Sequence, residues 1–232
     1  MISLAKILRE GFGDENYETI KVEDFTVHVL KQYTHPTFKT KISTPKVTDK
    51  KIQKIFQVLR YIEEGLDKAK LPPSWKRLEI YIEPIGAKES KFKQQGTPEE
   101  LSYGRAFYSP IEDAIVINST YIKSNLFDWK KLARTLAHEI SHRAFMKFIL
   151  QGSKLEKRLD KIIDSYRQDT TPEGIKKARR HLGFDQDYGI ESAGKVPEEF
   201  FAELVSHITI YSTDPKYKLW QKILNYILKG KR

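Results

Sequence analysis

The chain of 232 residues contains no cysteine. This absence excludes disulfide bonds, thiolate metal ligands and a cysteine nucleophile. A chain without cysteine fits a reducing compartment, but many secreted enzymes also lack this residue. The localisation therefore stays unknown, and cytoplasmic, non-classically exported and virion-associated proteins all remain open.

Long apolar runs are also absent. No stretch approaches the roughly twenty apolar residues that span a bilayer, so we expect no transmembrane segment. Residues 1–10 have too short an apolar core for a secretory signal peptide. The same reasoning predicts a protein without a membrane span, and it leaves the oligomeric state undetermined.

Acidic residues are fewer than basic ones, which gives a formal net charge of +10. Such a charge can mark affinity for nucleic acid or for an anionic surface. A solvated, lysine-rich face is the more common explanation, and no nucleic-acid-binding motif accompanies the charge. We therefore expect no nucleic-acid partner.

The composition predicts a globular protein, since 39% of the residues are hydrophobic. Residues 1–46 are expected to form an N-terminal segment of a short helix, a hairpin and a connector, packed on the main domain. Residues 47–232 are expected to form that domain.

Hydrophobic periodicity predicts an α+β fold. Strands are predicted at 77–83, 102–108 and 114–118, with a turn at 110–113, and a hairpin is predicted at 19–30 around Glu23-Asp24. Helices are predicted at 1–10, 48–70 with Thr48 as cap, 129–150 with Asp128 as cap, 153–166 and 171–182, then from Pro197 and from Asp214-Pro215 to 228. An extended peptide could add as a further strand to an exposed sheet edge within 102–118.

The most informative motif is His138-Glu139-Ile140-Ser141-His142, which reads H-E-x-x-H within a predicted helix. Residues four apart share one face of a helix, so both histidines can direct an imidazole at one metal ion. Glu139 is then near enough to act on a water at that metal. This pattern is typical of zinc-dependent hydrolases, usually peptidases. The alternative is a chance pair of histidines on a helix surface.

A catalytic zinc site needs a third protein ligand and an open fourth position. The extended motif would place a histidine six residues after His142, but that position is Phe148. Glu199 and Glu203 are the best remaining candidates, because they are four apart in the helix that starts at Pro197. One could bind the metal while the other orients a histidine. Acidic residues are also favoured in the first turn of any helix, so spacing alone leaves both roles open.

The sequence Glu199-Phe200-Phe201-Ala202-Glu203, downstream of the H-E-x-x-H motif, resembles the catalytic domain of the anthrax lethal factor family of zinc metallopeptidases. The resemblance implies that His138, His142 and Glu199 bind zinc. The shared motifs lie between about residues 136 and 214.

The same resemblance implies roles for three further residues. Glu139 would be the general base, Glu203 a supporting carboxylate beyond the ligands, and Tyr188, in the Tyr188-Gly189 step, a tyrosine that assists at the active site. The resemblance also implies a zincin-like fold, with a small twisted mixed sheet on the active-site helix and a helical C-terminal half.

The sequence thus predicts a gluzincin-type zinc endopeptidase with a Zn²⁺ cofactor and a peptide or protein substrate. Its motifs are toxin-like, since they resemble those of the lethal factor family. Two alternatives stay open. A catalytically silent zincin-like domain could serve as a peptide- or partner-binding module, although an intact Glu139 argues against it. A basic structural protein with an accidental motif would bind no stoichiometric zinc.

Overall fold

The computed structural model describes residues 16–34, 41–43, 46–69, 78–84, 92, 105–124, 127–149, 153–167, 171–184 and 197–228. The helix predicted at 1–10 and the tyrosine of the Tyr188-Gly189 step lie outside these residues. The chain divides into two compact units, the first formed by Met1–Arg60 with Arg77–Leu132 and the second by Tyr61–Lys76 with Ala133–Arg232.

The first unit contains all the described strands. In chain order they are β1 (Tyr17–Val22), β2 (Phe25–Leu30), β3 (Gln32–Thr34), β4 (Lys41–Ser43), β5 (Leu78–Glu83), β6 (Ala106–Ser109) and β7 (Ala114–Asn118). Five of them form one sheet in the order β1-β2-β5-β7-β6. The inner pairs β2–β5 and β5–β7 are parallel, whereas β1–β2 and β6–β7 are antiparallel hairpins.

This mixed sheet confirms the α+β class. The β1–β2 hairpin turns at Glu23-Asp24 as predicted, and Glu23 adopts a left-handed φ of 51°. The sequence left open which strand of 102–118 lies at an edge. The structure places β6 at the edge of the sheet and β7 inside it.

Several local features differ from the sequence-based expectations. The sequence predicts a connector at residues 33–45, but this segment contains most of β3 and all of β4. These two strands pair with each other in a separate two-stranded sheet. The strand expected over 102–108 covers 106–109, and only its residues from 105 onward are described.

The described helices belong to both units. In chain order they are α1 (Lys50–Lys68), α2 (Ser119–Lys123), α3 (Trp129–Phe148), α4 (Lys154–Arg167), α5 (Pro172–Leu182), α6 (Pro197–Ile210) and α7 (Tyr217–Leu228). Helix α2 lies in the first unit, α4 to α7 lie in the second, and the boundary between the units falls within α1 and α3. The prediction of Thr48 as the cap of α1 is wrong, because Asp49 Oδ1 accepts the hydrogen bond from the Lys51 amide at 2.8 Å. The short α2 was not predicted, and the Asn118 side chain caps it through the Thr120 amide at 3.0 Å.

In the second unit, α6 is the most deeply buried helix. Every residue from Phe200 to Thr209 is buried, and α6 packs against α4 and α7. The end of α1 also approaches it closely, since a Cβ added to Gly65 would lie 2.2 Å from the carbonyl oxygen of Thr209. Tyr61 donates its hydroxyl to the carbonyl of Ile210 at 2.7 Å. These contacts hold α6, and the carboxylates it carries, in a fixed position.

Within the described residues, no helix combines the length and the apolar character needed to cross a membrane.

Candidate metal centre

Helix α3 carries both histidines of the motif. Its start is fixed by Asp128, whose Oδ1 accepts hydrogen bonds from the amides of Lys130 at 2.9 Å and Lys131 at 3.3 Å. This is the predicted N-cap. Because the helix runs without interruption to Phe148, His138 and His142 project from adjacent turns of one face.

Helix α6 carries three glutamates toward the same place. Pro197 occupies its first position, where the missing amide hydrogen costs nothing. Glu198 and Glu199 follow in the first turn, and Glu203 lies one turn later. The favourable interaction of carboxylates with a helix N-terminus supports the first two, while Glu203 needs specific partners because it is fully buried.

Three side chains converge as the ligands of one ion would. The Nε2 atoms of His138 and His142 lie 3.0 Å apart. Glu199 places Oε2 3.2 Å from Nε2 of His138 and Oε1 3.4 Å from Nε2 of His142. Two atoms that each lie about 2.05 Å from a tetrahedral ion are separated by about 3.3 Å. The group of His138, His142 and Glu199 could therefore hold a metal ion.

Each imidazole has a carboxylate at its other nitrogen. Glu198 Oε1 lies 2.6 Å from Nδ1 of His142, and Glu203 Oε2 lies 3.4 Å from Nδ1 of His138, a long separation for a hydrogen bond. Since an ionised carboxylate only accepts, the hydrogen of a neutral imidazole belongs on Nδ1. Both Nε2 lone pairs are then directed at Glu199, and a cation between them removes the repulsion.

The buried carboxylate of Glu203 is held by an arginine of α3. Arg134, one turn before His138 on α3, donates from Nη2 to Glu203 Oε1 at 2.6 Å. Only 1% of the Glu203 side chain and 14% of the Arg134 side chain are exposed. A buried carboxylate stays ionised only with such a partner, so Arg134 makes this position of Glu203 possible.

His207 supports the same turn. Its Nδ1 donates to the backbone carbonyl of Glu203 at 2.8 Å, and its ring packs among Phe184, Tyr211 and Trp220. The same Nδ1 lies 3.5 Å from Glu203 Oε1, so His207 is close to both the backbone and the carboxylate of Glu203.

The electrostatics of the group favour positive charge. Burial lowers the pKa of the His138 imidazole, but the nearby carboxylates of Glu199, Glu203 and Glu139 outweigh burial and raise this pKa to about 9. The hydrogen bond to His138 lowers the pKa of Glu199. Burial opposes ionisation of Glu203, yet His138, His207 and Arg134 together lower its pKa. A metal ion bound at Nε2 of His138 would have to displace this proton, so the affinity for the ion would fall as the pH falls.

The remaining predicted site residues are Glu139 and Tyr188. Glu139 is half-buried on α3, near enough to His138 for its charge to affect that imidazole. Tyr188 lies outside the described residues, so its assignment stays a prediction. His28 is buried against Tyr81 with the rings 4.4 Å apart, in the first unit.

Sequence reasoning missed two residues of this site. Glu198 directly precedes the predicted ligand Glu199. Acidic residues are common in the first turn of a helix, so its position gave no sign of a contact with His142. Arg134 precedes His138 by one helical turn, and only the crossing of α3 with α6 brings it to Glu203. A basic residue one turn before the motif was the only available signal for Arg134.

No protein-family model matches the chain, and neither a curated protein nor a solved structure is found to be similar to it.

Proposed function

We propose that the chain is a zinc-dependent endopeptidase of the gluzincin type, with a zincin-like catalytic domain. The observation that carries this proposal is the convergence of His138 Nε2, His142 Nε2 and a carboxylate of Glu199 within mutual distances of 3.0 to 3.4 Å. Two imidazoles and one carboxylate are the ligand set of several zinc peptidases, and they leave one position of a tetrahedral ion open.

Zinc suits this ligand set better than the harder cations. Imidazole nitrogens favour zinc and neighbouring transition metals, whereas magnesium and calcium prefer oxygen ligands. When bound, zinc would lower the pKa of a water molecule toward neutrality and stabilise negative charge on the carbonyl oxygen of the substrate.

Glu139 is the residue proposed to move protons. Its carboxylate accepts a proton from the attacking water and then delivers it to the nitrogen of the leaving amine. Its place in the motif, directly after the ligand His138, supports this role. A domain that only binds a partner has no need of a base at this position, so the intact Glu139 favours an active enzyme.

The other side chains orient the ligands or the substrate. Glu198 and Glu203 hold the histidines, and Arg134 holds Glu203. Tyr188 is proposed to donate a hydrogen bond from its hydroxyl to the oxygen that becomes negative during attack. The resemblance to the lethal factor family supports this assignment by sequence motif alone.

The test combines metal analysis with one substitution. The purified chain is expected to contain one zinc per molecule and to cleave members of a random peptide library. Glu139→Gln should retain the zinc and lose at least about a hundredfold in kcat, because general base catalysis contributes about that much.

Glu156→Gln on α4 is the matched control, since it removes a helical carboxylate outside the ligand group, and it should leave both zinc and kcat unchanged. Unchanged cleavage by Glu139→Gln would overturn the role of the base. Stoichiometric zinc without any cleavage would indicate a silent binding domain, and absence of zinc would overturn the whole proposal.

A further inference from the structure

The hydrogen bond between Glu198 and His142 is a contact that neither the motif nor the family resemblance assigns. Glu198 Oε1 lies 2.6 Å from Nδ1 of His142, while the neighbouring Glu199 directs its carboxylate at the opposite ring atom. Adjacent residues of one helix turn thus contact the two nitrogens of one imidazole. This arrangement leaves little freedom for the ring to rotate.

The length of this contact is that of a charge-assisted hydrogen bond. With Glu198 as acceptor, the hydrogen of a neutral His142 stays on Nδ1, and Nε2 keeps the lone pair that a metal ion needs. A carboxylate in this place also makes the imidazole a stronger donor to the ion.

We infer that Glu198 is a positioning residue that fixes the tautomer and the ring orientation of His142 for metal binding. The inference rests on the proposed zinc function. In this assignment the three carboxylates of α6 have different roles. Glu199 binds the ion, Glu203 orients His138, and Glu198 orients His142. A general effect of the helix dipole is the competing explanation, because Glu198 also lies in the first turn.

Helix α5 offers a matched control for that explanation. It begins with Pro172-Glu173, just as α6 begins with Pro197-Glu198, so Glu173 occupies the same first-turn position. Glu173 is exposed and outside the ligand group. Glu173→Gln therefore removes the same interaction with a helix N-terminus while the metal site stays intact.

The experiment measures the zinc dissociation constant by competition with a chromogenic chelator in the full chain and in Glu198→Ala, Glu198→Gln and Glu173→Gln. Loss of an outer partner of a metal-binding histidine weakens binding by about 10- to 100-fold. We expect a loss in this range for Glu198→Ala, a smaller loss for Glu198→Gln, whose amide oxygen still accepts, and a change within about twofold for Glu173→Gln.

A second readout separates positioning from general structural damage. In zinc-loaded protein labelled with ¹⁵N-histidine, the Nδ1 hydrogen of His142 should give a protected resonance, and Glu198→Ala should make that hydrogen exchange rapidly with water. The corresponding signal of His138 should persist. Because the Glu198 side chain is 30% exposed, Glu198→Ala and Glu198→Gln should unfold at the same urea midpoint as the parent chain.

Equal zinc affinity in Glu198→Ala and Glu173→Gln, or a protected His142 signal in Glu198→Ala, would overturn the inference while the proposed function stands. Failure of the parent chain to bind zinc would overturn both. If Glu198→Ala misfolds, Glu198→Gln decides the question by the same two readouts.

Discussion

The two histidines of the candidate metal centre are supported in different ways. His138 faces Glu203, a carboxylate that is 1% exposed and held at 2.6 Å by Arg134, whose side chain is 14% exposed. His142 faces Glu198, a carboxylate that is 30% exposed and lies in the first turn of α6. The first support is part of the core, whereas the second is in contact with water.

Because of this difference, substitutions near the two histidines should differ in their effects on stability and on metal binding. A buried charge that loses its partner destabilises the fold, because its desolvation is no longer compensated. A partly exposed charge is replaced by water at little cost, so its loss affects mainly the orientation of its partner. We therefore expect changes around His138 to affect folding and metal binding together, and changes around His142 to affect metal binding alone.

The largest effect on metal binding is expected from Glu199→Ala, which removes the proposed third ligand, whose two carboxylate oxygens lie near the two histidines. Zinc affinity should fall by more than about a hundredfold, beyond the 10- to 100-fold that outer partners contribute. Chelator competition measures the loss. If Glu199→Ala binds zinc normally and Glu203→Ala does not, the third ligand is one turn further along α6 than we assign.

Arg134→Ala should cause the largest loss of stability. It leaves Glu203 buried without the guanidinium that donates to its carboxylate at 2.6 Å, and breaking such a pair typically costs about 3–5 kcal/mol in the free energy of unfolding. Urea unfolding of the metal-free protein measures this loss.

The exposed pair of Arg60 and Glu23 is the control for this substitution. Its N–O distance is 3.2 Å, with side chains 56% and 52% exposed. Glu23→Gln should change the free energy of unfolding by less than about 1 kcal/mol. Comparable losses in the free energy of unfolding for Arg134→Ala and Glu23→Gln would contradict the distinction between a buried and an exposed ion pair.

The smallest effect on zinc binding is expected from Tyr188→Phe, since Tyr188 is proposed to contact the substrate and not the ion. Zinc content and unfolding should be unchanged, while kcat should fall by about 10-fold or more as one donor to the developing negative charge is lost. Steady-state kinetics on a cleaved peptide measures the effect. Normal kcat would remove Tyr188 from the mechanism.

The features predicted correctly from sequence are those set by local periodicity. The positions of His138 and His142 on one helix face follow from their spacing of four, and the start of α3 follows from the capping preference of Asp128. The β1–β2 hairpin was likewise predicted from alternation and a two-residue turn. Each of these needs information from only a few neighbouring residues.

The features that sequence could not determine depend on how distant segments meet. Glu199 and Glu203 share one face of α6, so their spacing cannot distinguish a ligand from a support. The structure separates them: Arg134, 69 positions before Glu203, donates to Glu203, whereas Glu199 lies in the group that could hold a metal ion. The pairing of β3 with β4 across a segment rich in threonine, lysine and proline is also a tertiary outcome.

The most direct test of the account is anomalous diffraction at the zinc edge from a crystal of the full chain grown with zinc. The account predicts one peak per chain, bonded to Nε2 of His138, Nε2 of His142 and a carboxylate oxygen of Glu199. A chain without zinc, or a zinc bound by other residues, would contradict it.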